Sequence, residues 1–69
     1  MEVKNRDDLK KRLFELSSLI GGANADTQVK VKKLQALFAA NEQTLNSIGP
    51  DLYLDVKNKI VDVIRDLLA

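Results

Sequence analysis

The side chains that could do chemistry in this chain are carboxylates, amines, hydroxyls and a single tyrosine phenol. Asp62 and Asp66 are one example of a carboxylate pair that lies one helical turn apart, which is the spacing that a metal or acid–base site could use. Acidic residues on the solvent face of an amphipathic helix have this spacing by default. The pair therefore predicts a solvated helix face and not a metal or acid–base site.

The residue types that most often carry catalysis are absent from the sequence. The 69 residues include no histidine, the commonest general base and metal ligand, and no cysteine, which excludes thiolate nucleophiles and disulfides. Gly21-Gly22 is not followed by the lysine and threonine of a phosphate-binding loop. We therefore expect a protein that is not an enzyme, holds no metal or cofactor, and takes no small-molecule substrate.

The basic residues indicate nucleic-acid binding as an alternative function. A cluster near residue 30 opens a helical segment that follows a turn, which is where helix-turn-helix proteins place their DNA-reading helix. The candidate groove-facing residues are Gln28, Lys30, Lys32 and Lys33. However, 11 basic residues are balanced by 10 acidic ones, for a net charge of +1, whereas DNA-binding domains usually show a clear basic face. A small DNA-binding regulator is thus the alternative, and a solvated helix start is favoured.

Three apolar periodicities predict helices over about residues 5–20, 26–48 and 50–68. We expect Asn5 to cap the first helix and Gly21-Gly22 to end it in left-handed backbone. Asn24 or Asp26 is expected to cap the second helix. Gly49-Pro50 should separate the second helix from the third, since proline suits the first turn of a helix.

The second helix is expected to be the element around which the other two pack. Its stripe consists of Thr27, Val31, Leu34, Phe38, Leu45 and Ile48. We expect Leu34 and Phe38 to be buried at the centre of the core. The polar residues 41–44 could break this helix, but the surrounding periodicity favours a continuous one.

Together the segments predict an all-α fold, a three-helix bundle with short glycine-containing turns, in one domain spanning residues 1–69. Only 4% of residues are aromatic, so leucine, isoleucine and valine must fill the core. No apolar run approaches the roughly 20 residues of a membrane span, and residues 1–12 lack the apolar stretch of a signal peptide. We therefore expect a cytoplasmic protein that does not associate with membranes.

The sequence has more apolar surface than a solitary bundle needs. Phe14 lies roughly opposite the first apolar stripe, which consists of Leu9, Leu13, Leu16 and Ile20, and we expect it to be exposed. The core stripe of the third helix is Leu52, Tyr53, Val56, Ile60, Val63 and Leu67, and further apolar residues widen it. Surplus apolar surface on a small domain usually marks a protein partner. The predicted protein-binding residues are Phe14, Leu54, Val61 and Leu68, with a homodimer through the third helix as the favoured assembly.

Overall fold

The computed structural model describes the backbone of residues 2–69 and the side chains from Arg6 onward. Three α-helices follow one another: α1 spans Glu2–Gly22, α2 spans Thr27–Ile48 and α3 spans Pro50–Leu68. The described residues contain no strand. The predicted all-α fold with three helices is therefore confirmed.

The helices lie side by side along one axis of a bundle that measures 38 × 17 × 16 Å. Two ion pairs, Arg6–Asp51 and Lys10–Asp55, join α1 to α3. Both pairs connect residues 45 apart, so α1 and α3 run in the same direction. Because Gly49 alone separates α2 from α3, α2 turns back and runs opposite to both.

The core is aliphatic and draws most heavily on α3. Among the side chains from Arg6 onward, the buried apolar residues, each at most 4% exposed, are Leu13, Leu34, Leu45, Leu52, Val56 and Ile60. Three of these six belong to α3, which contacts α1 and α2 more extensively than they contact each other. The expectation that α2 organises the bundle is therefore wrong, because the wide apolar arc of α3 faces both neighbours at once.

The helix α2 is continuous through residues 41–44, as favoured from the sequence. Asn41 interrupts its apolar stripe, but the side-chain amide donates a hydrogen bond to the Leu37 carbonyl at 2.8 Å. A polar group that is bonded within its own helix costs little when it is partly buried. The polar residues therefore do not break the helix.

The two residues expected at the centre of the core differ in burial. Leu34 is fully buried, which confirms its prediction. Phe38 is only half-buried, and its ring centre lies 5.3 Å from that of Tyr53 at a tilt of 59°. The central placement of Phe38 is wrong, since the ring packs at the α2–α3 boundary where an edge-to-face aromatic pair is available.

The helix α1 extends further at both ends than the sequence predicts. It begins at Glu2, so Asn5 lies inside the helix and not at its N-cap, because nothing between them breaks a helix. At the other end Gly21 and Gly22 stay helical, and neither adopts left-handed backbone. The Lys30 ammonium donates to the Gly21 carbonyl at 3.0 Å, so α2 supplies the C-terminal cap of α1.

The connections between helices are short. Residues 23–26 join α1 to α2 and contain no glycine, which corrects the expected glycine turn. Asp26 occupies the N-cap of α2 but makes no side-chain capping bond. Gly49 has extended backbone, with φ 173°, and Pro50 begins α3 as predicted.

Small residues bring the last turns of α1 close to α3. Ser17 is fully buried, and its hydroxyl donates to the Leu13 carbonyl at 2.7 Å, so the hydroxyl is satisfied within its helix. Gly21 follows one turn later. A Cβ atom at Gly21 would lie 2.7 Å from Cγ1 of Val63, well inside van der Waals contact. Glycine is therefore required at this position by helix packing and not by a turn.

Replacing each of the paired glycines by alanine should give opposite results. Gly22→Ala meets no atom within 4 Å and should stabilise the chain by up to about 1 kcal/mol through helix propensity. Gly21→Ala must displace Val63, and overpacking of this kind typically costs about 1–3 kcal/mol. This cost offsets or exceeds the stabilisation that alanine brings through helix propensity. Urea unfolding followed by circular dichroism measures both variants. Equal stabilisation by the two substitutions would contradict the close packing of α1 on α3.

Candidate functional site

The exposed large apolar side chains of α3 lie on one line along the helix. Leu54 is 52% exposed, Val61 39% and Leu68 67%. Each is seven residues from the next, and seven residues are almost two full helical turns. The structure thus leaves these three side chains on the surface, as the widened apolar arc predicts, and their role in protein binding stays a prediction.

Two further residues complete this line. Lys57 and Ile64 alternate with the exposed residues at spacings of three and four, which is the pattern of a coiled-coil contact surface. We call this set the outer seam, and it consists of Leu54, Lys57, Val61, Ile64 and Leu68. Lys57 is exposed, whereas Ile64 is half-buried and also packs against the core. Four of the five positions of the outer seam are apolar, and the fifth is cationic.

The surroundings of the outer seam differ on its two sides. Toward α1 the next residues around the helix are Asn58 and Arg65, followed by Asp55 and Asp62. Asp55 is bonded to Lys10 of α1 at 3.0 Å, whereas Asp62 takes part in no ion pair found among the described side chains. On the α1-facing side of the outer seam, the cation Arg65 therefore lies next to the seam, and the carboxylates of Asp55 and Asp62 lie beyond it.

Toward α2 the outer seam is bordered by Tyr53. The Tyr53 hydroxyl donates a hydrogen bond to a Glu42 carboxylate oxygen at 3.2 Å. Burial, and then the neighbouring Glu42, raise the pKa of the Tyr53 phenol above its ordinary value. This tyrosine therefore remains protonated and ties α2 to α3, so the α2 side of the seam carries a fixed polar contact.

Phe14 does not belong to the outer seam. It was expected to be exposed, but it is half-buried, with the Lys10 and Lys59 ammonium groups 5.7 and 5.8 Å from its ring centre. The expectation is wrong because Lys59 of α3 reaches across one face of the ring, and cations favour this position. A shallow groove at this place is lined by Phe14, Glu15, Ser18, Leu19 and Lys59.

Leu19 is an exposed apolar residue that the sequence analysis missed. Its side chain is 69% exposed, more than that of Leu68 in the outer seam. Leu19, like Phe14, lies off the first apolar stripe. The argument that predicted an exposed Phe14 could therefore also have predicted an exposed Leu19. No other large apolar residue of α1 beyond residue 5 is comparably exposed, so Leu19 forms no extended surface with its neighbours.

The structure does not bring the alternative nucleic-acid-binding residues together. Gln28 and Lys32 share one side of α2, while Lys30 and Lys33 lie on the opposite side. Lys30 is half-buried and engaged with the Gly21 carbonyl, whereas the other three are exposed. The four side chains therefore do not form one basic face.

The first turn of α3 contains a perturbed carboxylate. Desolvation raises the pKa of Asp51, but the Leu52 N–H and the Arg6 guanidinium outweigh it and hold that pKa below its ordinary value of 3.8. Because the pKa of Asp51 is lower in the folded state than in the unfolded state, its ionised carboxylate stabilises the fold at pH values above the unfolded-state pKa. This stabilisation is lost as the pH falls through the folded-state pKa. Arg6 and Asp51 thus form a structural pair between α1 and α3.

The predicted solvated carboxylates are placed on the surface. Asp62 and Asp66 are both exposed on α3. Within the described part of the chain, no three acidic residues come together in a group that could hold a metal ion. Over residues 2–69, none of the three helices has both the length and the apolar character needed to cross a bilayer.

Comparison of the chain with protein-family models, with curated proteins and with solved structures gives no match in any of the three.

Proposed function

We propose that this protein is a small, non-enzymatic protein-binding module that associates with a second copy of itself through the outer seam of α3. The observation that supports this most strongly is the seven-residue repeat of exposed apolar side chains at Leu54, Val61 and Leu68. Fourteen residues of α-helix extend about 21 Å. A straight apolar line of this length matches the contact surface of another helix.

A second copy is favoured as the partner because the outer seam can complement itself. Leu54 and Leu68 are equally distant from Val61 in sequence, so a two-fold axis near Val61 superimposes the line of apolar residues on itself. Isologous two-fold contacts of this kind are the commonest way in which identical chains associate. The net charge of +1 gives two copies almost no mutual long-range repulsion.

The exposed area of the outer seam sets the expected strength of this association. Stable interfaces bury about 800 Å² on each partner, and one helix face with three partly exposed side chains offers less than that. Association must also offset the loss of translational and rotational freedom. We therefore expect a reversible dimer with a dissociation constant that is roughly micromolar or weaker.

Lys57 is the one polar position in the outer seam, and its replacement by leucine should strengthen the dimer. Leucine at this position would make all five seam positions apolar, and burying a leucine side chain contributes about 1.5–3 kcal/mol. We expect Lys57→Leu to tighten association by about tenfold or more, which corresponds to about 1.4 kcal/mol. Sedimentation equilibrium over a range of concentrations measures the change directly.

Lys32→Leu is the matched control, because it introduces the same side chain at an exposed lysine of α2, outside the outer seam. It should leave the association constant close to that of the unmodified chain. If both variants associate more tightly to the same extent, the gain reflects general hydrophobicity. If Lys57→Leu does not associate more tightly at all, the outer seam is not the contact surface.

A further inference from the structure

We infer that the dimer contains two symmetric binding sites for a phosphate group, each formed by Lys57 of one copy and Arg65 of the other. Because both sites lie at the contact between the outer seams, they depend on the proposed self-association. Neither site is complete in a single chain, where Lys57 and Arg65 lie eight residues apart on α3, about 12 Å along the helix. Binding of the anion therefore favours the dimer over the monomer.

The two-fold axis near Val61 brings these two cations to the same level. The axis is perpendicular to α3, so a residue before Val61 lies level with the residue of the second copy that follows Val61 by the same number of positions. Lys57 precedes Val61 by four residues, and Arg65 follows it by four. Each Lys57 therefore lies level with Arg65 of the second copy, about 6 Å from the axis along α3.

Both side chains can reach a ligand that lies between the two copies. Lys57 belongs to the outer seam, and Arg65 lies next to the seam on its α1-facing side. The axes of packed helices are about 8–10 Å apart, a gap that a lysine and an arginine can span together. Both residues are exposed, and neither takes part in an ion pair found among the side chains from Arg6 onward. Their charges are thus free to bind an anion.

Without an anion, the pairing of Lys57 with Arg65 opposes association. Two cations at the same level repel each other, and exclusion of water from the contact strengthens the repulsion. The neighbouring carboxylates do not lie between them. Asp62 is further from the seam than Arg65, and on the opposite side of the seam Glu42 accepts a hydrogen bond from Tyr53 at 3.2 Å. An anion bound between the two cations replaces this repulsion by attraction.

A phosphate group matches this pair of cations in charge and in geometry. A guanidinium group can donate two parallel hydrogen bonds to two phosphate oxygens, and an ammonium group binds phosphate as a point charge. A phosphate monoester carries a charge of about −1.5 to −2 at pH 7, which balances one lysine and one arginine. The ligand class is therefore a free phosphate ion or the phosphate group of a small organic ester.

The response of the dimer to phosphate at constant ionic strength tests these sites. Sedimentation equilibrium is measured in sodium chloride, and again as inorganic phosphate or glycerol phosphate replaces the chloride at the same pH and ionic strength. A ligand that binds only the dimer multiplies the association constant, at each site, by one plus the ratio of its concentration to its dissociation constant. Two sites should therefore tighten association roughly tenfold once phosphate reaches about twice its dissociation constant.

Two variants assign the response to the two cations. Lys57→Leu and Arg65→Gln should each remove most of the gain from phosphate, measured against the same variant in sodium chloride. Lys32→Leu removes an exposed lysine outside the outer seam and should keep the full gain.

The outcomes separate the sites from the dimer itself. A gain with both phosphate compounds supports recognition of the phosphate group, and a gain with one of them supports the sites and identifies their ligand. Equal association in phosphate and in chloride, or an undiminished gain in Lys57→Leu and Arg65→Gln, overturns the sites and leaves the proposed dimer standing. A chain that stays monomeric in every buffer overturns the dimer and the sites together.

Discussion

Replacing Leu34 by alanine should leave the protein largely unfolded at 25 °C. Leu34 is fully buried on α2, and the side chains from Arg6 onward include six buried apolar residues that form the core. Truncating a buried leucine typically costs about 2–5 kcal/mol, including the cavity that remains. A domain of this size rarely has more than about 3–5 kcal/mol of stability from its core. The loss should therefore consume most of the free energy of unfolding.

Leu19→Ala makes the same chemical change on the surface and serves as the control. The Leu19 side chain is 69% exposed, so its truncation leaves no cavity and should change stability by less than about 0.5 kcal/mol. Thermal melts followed by circular dichroism at 222 nm compare the two variants. A Leu34→Ala protein that melts like Leu19→Ala would show that the three helices do not pack around Leu34.

Replacing Val61 by lysine should abolish self-association and leave the helical fold intact. Val61 is 39% exposed at the middle of the outer seam, where the two-fold axis is proposed to pass. The substitution puts an ammonium group from each copy into the contact, and desolvating unpaired charges is costly. We expect association to weaken at least ~100-fold, about 2.7 kcal/mol or more. Circular dichroism should show nearly unchanged helicity, because Val61 lies outside the core.

Val29→Lys provides a matched comparison for this substitution. Val29 is also a helical valine, is 43% exposed, and lies on α2 away from the outer seam. The two variants carry the same added charge at similar exposure. Val29→Lys should sediment like the unmodified chain. Equal loss of association in both variants would indicate a nonspecific effect of charge, and unfolding of Val61→Lys would mean that Val61 contributes to the core.

The helical elements could be predicted because their signals are local. Apolar periodicity located all three helices, and Gly49-Pro50 marked the boundary of α3 correctly, since proline cannot continue α2 but suits a first turn. The exposure of Leu54, Val61 and Leu68 was also predictable. Two neighbouring helices leave part of α3 uncovered, because its apolar arc extends over about half of its circumference.

The errors concern features that depend on contacts between helices. Gly21 resembles a helix stop in sequence, but it stays helical because it packs against Val63 and because Lys30 caps its carbonyl. Phe14 resembles an exposed residue on the wheel of α1, but Lys59 of α3 covers part of its ring. Each outcome is decided by a side chain from a neighbouring helix, whose register the periodicity of a single helix does not specify.

The arrangement of the candidate site was predictable only in part. The sequence grouped Phe14 with the exposed residues of α3, whereas the structure places it on the α1 side, away from the outer seam. The heptad spacing that includes Lys57 and Ile64 was present in the sequence. It became informative only once the structure showed that Leu54, Lys57, Val61 and Leu68 of this line are exposed, with Ile64 half-buried beside them.

The sedimentation behaviour of the unmodified chain tests the central claim most directly. A monomer has a mass of 7.7 kDa. Sedimentation equilibrium at loading concentrations from about 1 μM to about 1 mM spans the expected range of dissociation constants. We predict that the apparent mass rises from that of the monomer toward twice that value. Val61→Lys should move this rise to concentrations at least about 100-fold higher, whereas Val29→Lys should leave it unchanged. An apparent mass that stays at 7.7 kDa up to the highest concentration would contradict self-association through α3.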